Sequence, residues 1–215
     1  MRVDGTITST ITKDFDIHNV VVLDASQSMS GEKYNAATLG VKKELDSSIE
    51  AGDSFTFIEF VQSDHIITHC TKAKASKVEL HFNGAHGGNT PLYQTIVETL
   101  ENLMTGKKSN DRFLVKILTD GQSNSGNKTA SDCRAVIKKA EEQGFTVTFV
   151  AAEYDLDRII REIGIDSSNT LAHKNTGESI AQAYETSKFA TTVYRKDLSE
   201  GKDVTFGFYS KVLND

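Results

Sequence analysis

The chain has little of three residue types whose abundance marks particular classes of protein. Its 215 residues include one proline, no tryptophan and only two cysteines. A single proline suits a regular core, because proline interrupts helices and central strands. Cys70 and Cys133 lie far apart and show no CxxC spacing, which predicts two free, buried thiols rather than a disulfide or a zinc site.

The chain also lacks a basic run and a long apolar run. Its formal net charge is -6, whereas a protein that binds nucleic-acid backbones needs a basic surface. No segment approaches the roughly 20 apolar residues of a membrane-spanning helix, and residues 1–11 lack the apolar core of a signal peptide. We therefore expect no nucleic-acid partner, no membrane insertion, and a cytoplasmic location unless a leader has been removed.

The residues that are present indicate a globular α/β protein. Hydrophobic residues make up 38% of the chain and charged residues 25%, which is ordinary for a soluble fold. Short β-prone runs alternate with segments of helical periodicity. Strands are predicted over residues 20–23, 55–61, 66–70, 112–118, 145–151 and 168–172, and helices over 31–50, 72–80, 90–103, 129–143, 155–163 and 179–194.

The alternation of strands and helices predicts a doubly wound, mostly parallel six-stranded sheet with helices on both faces. The link between the second and third strands is too short for a parallel crossover, so one antiparallel edge strand is expected. We assign residues 17–195 to one domain. Residues 1–16 are predicted to be an N-terminal arm or an extra strand, and residues 196–215 a C-terminal extension in which 204–209 are β-prone.

The first predicted strand ends abruptly in oxygen-bearing side chains. Four apolar residues, 20–23, are followed by Asp24, Ser26 and Ser28. A carboxylate and two hydroxyls are hard donors of the kind that Mg²⁺ and Mn²⁺ prefer. Since α/β folds bind their ligands at the carboxyl ends of parallel strands, this loop is a candidate cation site.

Two further loops carry matching side chains. Thr90 follows a Gly/Asn-rich stretch, residues 83–89, and Asp120 follows the fourth strand. The first and fourth strands are expected to be neighbours at the switch point of the sheet, so the three loops can converge. Each loop has an ordinary explanation on its own. Asp24, Ser26 and Ser28 can cap the helix that begins at Gly31, Thr90 can cap the next helix, and Asp120 can belong to a simple turn. Their occurrence together and in this order favours a metal site.

The remaining polar candidates are given structural roles. Six histidines show no metal-ligand spacing and are predicted to lie at the surface: His18, His65, His69, His81, His86 and His173. His86, in the Gly/Asn-rich loop, is a candidate partner contact. Gln122, Ser123 and Asn124 are predicted to form loop hydrogen bonds rather than to bind a metal.

The ordered combination of motifs resembles the von Willebrand factor type A (vWA) family with its metal-ion-dependent adhesion site (MIDAS). That family's pattern is DxSxS after the first strand, a distant threonine, and an aspartate in a Thr-Asp-Gly turn. The matching positions here are Asp24, Ser26, Ser28, Thr90 and Asp120. The resemblance covers residues 19–194 and is greatest to stand-alone microbial members, including those near stress and tellurium-resistance operons. Gln27 departs from the glycine that is common between the two serines.

The resemblance implies a function that is not enzymatic. In the family the two serines bind Mg²⁺ or Mn²⁺ directly, the threonine binds it when a ligand is engaged, and the two aspartates often hold it through waters. One coordination position stays open for an acidic residue of a protein partner, which the sequence does not identify. Metal-dependent protein binding by a monomer or weak oligomer is therefore our main hypothesis.

Two alternatives belong to other functional classes. The first is a metal-dependent phosphoryl-transfer enzyme with Asp24 as nucleophile, although Ser26 occupies the place where a second carboxylate is needed, and the chain has no GxxxxGK[ST] or GxSxG motif. The second is a structural or assembly protein with a vestigial metal site, whose β-prone terminal segments exchange between subunits.

Overall fold

The computed structural model describes residues 15–62 and 66–213. The predicted N-terminal arm, residues 1–16, thus lies outside the described residues except for Phe15 and Asp16, and His65 lies outside them too. Within the described ranges, no helix has the length and apolar character needed to cross a membrane.

The described chain alternates between strands and helices. In chain order the elements are β1 (Asp16–Asp24), α1 (Glu32–Ala51), β2 (Ser54–Phe60), β3 (Ile66–Lys74), α2 (Leu92–Met104), β4 (Asp111–Thr119), α3 (Ala130–Glu142), β5 (Thr146–Ala152), α4 (Glu153–Ile163), β6 (Thr170–His173), α5 (Gly177–Ser199) and α6 (Ser210–Leu213). The strands form a six-stranded sheet in the order β3-β2-β1-β4-β5-β6. β3 pairs antiparallel with β2, and the other pairings are parallel. The predicted fold class is confirmed.

The apolar run in β1 is explained by helices that cover both faces of the sheet. Val21 and Leu23 pack on the face that also contacts α1 and α5, whereas Val20 and Val22 pack on the face covered by α2, α3 and α4. Because successive side chains of a strand point to opposite faces, a strand buried on both sides needs consecutive apolar residues.

The two thiols are free, as predicted. Cys133 on α3 is fully buried in the core, whereas Cys70 on β3 is half-buried. Burial raises the pKa of the Cys133 thiol to about 12, so this thiol stays protonated at neutral pH.

The helix predicted over residues 72–80 is wrong. β3 continues to Lys74, where it pairs with Ser54, and a single 3-10 turn, Ala75–Lys77, follows. The strand bulges near Lys72, which has a positive φ of 48° and donates its N–H to the hydroxyl of Thr56. Pairing with β2 therefore overrides the helical preference of this Ala- and Lys-rich segment.

The C-terminal residues also differ from their prediction. α5 extends to Ser199, beyond the helix predicted over residues 179–194, and residues 204–209 are irregular rather than a strand. The carbonyl of Val204 accepts from the Thr146 hydroxyl at 2.8 Å, and the N–H of Tyr209 donates to the carbonyl of Ser168 at 2.9 Å. Val204, Phe208 and Tyr209 are buried against the α1 and α5 side of the sheet, so this segment completes the core.

A buried network of charged and polar groups joins the sheet to α1 and α5. The Lys116 ammonium on β4 donates to Glu44 at 2.6 Å and to Thr191 at 2.7 Å, while Asn19 donates to Glu44 at 3.1 Å and to Ser48 at 3.0 Å. Burial lowers the pKa of Lys116, although the Glu44 carboxylate opposes this shift. Lys116 and Glu44 therefore act as a paired charge inside the fold.

Removal of one member of this pair should destabilise the protein strongly. Breaking a buried ion pair typically costs about 3–5 kcal/mol, because the remaining charge is left uncompensated. We expect Glu44→Gln and Lys116→Met each to lower the free energy of unfolding by this order, and the double variant to recover much of the loss. Urea denaturation of the four proteins measures the effect. Losses that simply add in the double variant would contradict the pairing.

Candidate metal centre

The five predicted ligand residues lie at one edge of the sheet. Asp24 is the last residue of β1 and Asp120 directly follows β4, and these strands are parallel neighbours with Leu23 opposite Leu118. Parallel neighbours bring their carboxyl ends to the same edge of a sheet. The parallel pairing of β1 with β4 therefore brings together two aspartates that are distant in sequence.

Asp24 is held rigidly at the base of this edge and is fully buried. One carboxylate oxygen accepts from the backbone N–H of Ser26 at 2.8 Å, and the other accepts from the hydroxyl of Thr119 at 2.6 Å. Burial raises the pKa of Asp24 to about 6, against the opposing effect of these hydrogen bonds. Thr119 was not singled out by the sequence, although it precedes Asp120 in the Thr-Asp-Gly turn.

Above Asp24, hydroxyl groups face the second carboxylate. The hydroxyls of Ser26 and Ser28 are 3.0 Å apart, and Ser28 donates to Asp120 Oδ1 at 2.6 Å. A Cβ atom added to Gly121 would lie 3.8 Å from both Ser28 Oγ and Thr90 Oγ1, so the Thr90 hydroxyl belongs to the same cluster. Ser26, Thr90 and Asp120 are buried, whereas Ser28 is exposed and gives the cluster an open side.

Thr90 does not cap α2, contrary to its predicted alternative role. Pro91 occupies the cap position, no side chain caps the helix, and the first helical bond runs from the N–H of Thr95 to the carbonyl of Pro91. The backbone of Thr90 is instead bonded to Asn124. The N–H of Thr90 donates to Asn124 Oδ1 at 2.6 Å, and the carbonyl of Thr90 accepts from the N–H of Asn124 at 3.1 Å. This pairing joins the Thr90 loop to the loop after β4.

The neighbouring polar residues act in loop hydrogen bonding. The Ser123 hydroxyl accepts from the N–H of Tyr93 at 3.3 Å, and the Gln122 amide donates to Asp155 at 2.8 Å. The Gln27 side chain is exposed, and its backbone N–H donates to the carbonyl of Gly87 at 3.1 Å. The residue that departs from the family pattern thus serves through its backbone in holding two loops together.

The donor set suits a hard divalent cation. Two carboxylates and three hydroxyls provide only oxygen ligands, which Mg²⁺ and Mn²⁺ prefer. In residues 15–62 and 66–213, no group of three or more His, Cys, Asp or Glu side chains is arranged to hold a metal ion. A cation beside the buried carboxylate of Asp24 would favour its ionised form.

Comparison with known proteins identifies the family. A family model described as the von Willebrand factor type A domain matches residues 19–186. The chain belongs to the vWA family. Domains of this family typically mediate protein interactions. A search of curated proteins found no match to the chain.

Solved structures with the vWA fold resemble this domain at low identity. Proximal thread matrix protein 1 from the mussel byssus is 20% identical with a TM-score of 0.60, over 80% of this chain and 47% of that one. The ArnB paralog VWA2 from Sulfolobus acidocaldarius is 18% identical with a TM-score of 0.56, over 81% and 46%. The vWF domain of the type V pili tip protein Mfa5 from Porphyromonas gingivalis is 10% identical with a TM-score of 0.62, over 83% and 96%.

These similarities show the fold alone. This chain spans about half the length of the mussel and Sulfolobus chains that it matches. One further structure of the mussel protein has zinc in its MIDAS motif.

The Gly/Asn-rich loop of this vWA domain is anchored by a buried carboxylate that sequence reasoning missed. Glu59 on β2 accepts from Tyr34 on α1, from His69 at 2.8 Å, and from both the side chain and the backbone N–H of Asn83 at 3.1 and 3.3 Å. Burial raises the pKa of Glu59, but the bonds from His69 and Tyr34 outweigh it and hold the pKa below its usual value. The sequence carried one signal for this role, because Glu59 is a charged residue inside an otherwise apolar β-prone run, residues 55–61.

The anchored loop reaches the metal centre through its backbone. The N–H of His86 donates to the carbonyl of Ala25 at 3.0 Å, directly beside the Asp24 loop. Gly87 has a φ of +75°, a conformation that residues with a side chain rarely adopt, and it supplies the carbonyl that accepts from Gln27. The loop thereby leads to Thr90 in a defined position.

The histidines are less exposed than predicted. His18 and His173 are buried, with His18 stacked on Phe113 and His173 Nδ1 accepting from the N–H of Asn175 at 3.0 Å. His69 is engaged by Glu59, while His86 is exposed on the Gly/Asn-rich loop. His18 Nε2 also lies 3.3 Å from the Asp111 carboxylate, a contact that no periodicity in the sequence reveals.

Replacement of Glu59 should loosen the Gly/Asn-rich loop. Leaving buried donors without their charged acceptor typically costs about 1–3 kcal/mol or more. We expect Glu59→Gln to lower the free energy of unfolding by this order and to speed amide hydrogen exchange in residues 83–89. Glu79→Gln, which changes an exposed glutamate nearby, is the matched control. Unchanged exchange in residues 83–89 would rule out the anchoring role.

Proposed function

We propose that this vWA domain is a non-enzymatic protein-binding module that uses Mg²⁺ or Mn²⁺ to capture an acidic residue of a partner protein. Asp24, Ser26, Ser28, Thr90 and Asp120 would hold the cation. A bound divalent cation would supply an electrophilic centre for the partner's carboxylate.

The observation that carries the proposal is the clustering of five oxygen-bearing side chains from three separate loops. Asp24 and Asp120 provide negative charge at the buried side of the cluster, and Ser28 provides an exposed hydroxyl at its open side. We propose that a partner group approaches from this open side. The zinc found in the MIDAS of the mussel protein supports a divalent cation at the corresponding motif, while the all-oxygen donor set favours Mg²⁺ or Mn²⁺ here.

The surroundings of the cluster also fit a protein partner. Tyr154 is 68% exposed, and its hydroxyl donates to the carbonyl of Asp120 at 3.1 Å. An aromatic ring with a fixed hydroxyl is a favourable contact in protein interfaces. His86 and Gln27 are exposed on the adjoining loops. We propose that these three side chains border the acidic residue of the partner.

The geometry is less favourable to the two alternatives. As a phosphoryl-transfer nucleophile, Asp24 would need an accessible oxygen, but it is 0% exposed and both oxygens accept hydrogen bonds. As an exchanging segment, residues 204–209 would have to leave a core in which Phe208 and Tyr209 are buried. We therefore also propose that residues 196–213 belong structurally to the vWA domain.

Loss of either a carboxylate or a hydroxyl should abolish cation binding. We expect Asp24→Ala and Ser26→Ala to remove measurable Mn²⁺ binding in a calorimetric titration while circular dichroism shows a retained fold. Ser30→Ala, an exposed serine in the same loop, is the matched control. Partner capture from lysate should depend on Mg²⁺ and be lost in EDTA and in Asp24→Ala. Retained Mn²⁺ affinity in both variants would refute the proposal.

Thr119 should influence the cation through Asp24. Removing a hydrogen bond that orients a metal ligand typically weakens metal affinity about 10–100-fold. We expect Thr119→Val, which keeps the shape of the side chain, to weaken Mn²⁺ binding by this order. Thr148→Val is the control, since Thr148 is also a buried threonine with a hydrogen-bonded hydroxyl, on the adjacent β5. Equal Mn²⁺ affinities for the two variants would contradict this role of Thr119.

A further inference from the structure

We propose that Lys33 is a charge-balancing residue of the metal centre, which weakens cation binding and strengthens the capture of a carboxylate by the cation-loaded site. The inference rests on the proposed function and assigns a role to a residue outside the five-residue motif. Lys33 lies in the first turn of α1, and its ammonium contacts the carboxylate of Asp120.

The position of Lys33 is defined by two partners. Its ammonium contacts Asp120 Oδ2 and lies 3.1 Å from Asn175 Oδ1. The side chain of Asp120 is 1% exposed and that of Lys33 is 19% exposed. Exposed ion pairs are weak because water screens them, but a pair with this degree of burial is screened much less. The charge of Lys33 is therefore felt at the metal centre.

Lys33 leaves one side of the Asp120 carboxylate available. The ammonium contacts Oδ2, while Oδ1 accepts the hydroxyl of Ser28 at 2.6 Å within the cluster of proposed ligands. Lys33 and the cluster thus contact different oxygens of one carboxylate. This geometry fits a residue that tunes the site from the side rather than one that occupies it.

A second set of contacts keeps Lys33 in place. Asn175 has a positive φ of 57°, its N–H donates to His173, and its side-chain amide donates to the hydroxyl of Tyr154 at 3.2 Å. Tyr154 in turn donates to the carbonyl of Asp120. Lys33, Asn175, Tyr154 and Asp120 therefore form a closed ring of contacts at the border of the metal centre.

The consequence follows from counting charges. Ionised Asp24 and Asp120 contribute two negative charges and Lys33 one positive charge, so the local net charge is -1 with Lys33 and -2 without it. After a divalent cation binds, the local charge is +1 with Lys33 and zero without it. Lys33 thus reduces the attraction for the cation and increases the attraction of the loaded site for an incoming carboxylate.

The test compares charge-removing and charge-keeping variants in the whole chain. Binding of Mn²⁺ is measured by calorimetry, and binding of acetate to the Mn²⁺-loaded protein by the fall in water-proton relaxation as acetate displaces metal-bound water. Because charges a few ångströms apart in a partly screened site still interact appreciably, we expect Lys33→Met to bind Mn²⁺ about tenfold more tightly and acetate about tenfold more weakly. Lys33→Arg should behave as the wild type in both measurements.

The controls separate a local charge effect from other causes. Lys43→Met removes the same charge from the same helix, at an exposed ion pair with Glu185, and should change neither affinity. Lys33→Gln repeats the charge removal with a polar side chain. Wild-type Mn²⁺ affinity in both Lys33→Met and Lys33→Gln would overturn the inference and leave the proposed function intact. A wild-type protein that binds no Mn²⁺ would overturn both.

Discussion

The hydrogen bond from the Thr119 hydroxyl to the Asp24 carboxylate is the contact on which the candidate metal centre depends. It joins the ends of β1 and β4, which are adjacent and parallel although 95 residues separate the two side chains. Once these strand ends are joined, Asp120 follows directly and its carboxylate meets the hydroxyl of Ser28. The site is therefore a consequence of the sheet order, because only neighbouring parallel strands place both loops at one edge.

The protein uses buried charge in two different ways, within β4 and at its carboxyl end. Within the core, Lys116 and Glu44 neutralise each other, while the neutral side chains of Asn19 and Thr191 donate to Glu44 and accept from Lys116, respectively. At the carboxyl end of β4, the buried Asp120 carboxylate pairs with the Lys33 ammonium, whereas the buried Asp24 carboxylate accepts from the Thr119 hydroxyl and the Ser26 N–H. The core pair neutralises a charge that folding buries, whereas the carboxylates at the sheet edge are the ones that we propose to bind a cation.

Local patterns predicted most elements but failed where distant pairing outweighed them. Residues 72–80 contain helix-forming alanines and lysines, yet β2 offers a row of backbone partners that extends β3 to Lys74. Residues 204–209 are β-prone, yet no strand partner is paired with them in the described structure, and their side chains fill the core instead. Thr90 has a hydroxyl that could cap a helix, but its backbone N–H and carbonyl are bonded to Asn124 and its side chain does not cap α2. In each case the competing partner is remote in sequence.

The sequence by itself determined the class of fold and the identity of the five candidate ligands. A strand that is buried on both faces is continuously apolar, and a site for a hard cation carries oxygen donors. Both features can therefore be recognised from the type and order of the residues. Only the tertiary structure decided which residues support them. Thr119, Glu59 and Lys33 act through side chains that meet distant carboxylates, and such meetings depend on strand order and helix orientation rather than on local pattern.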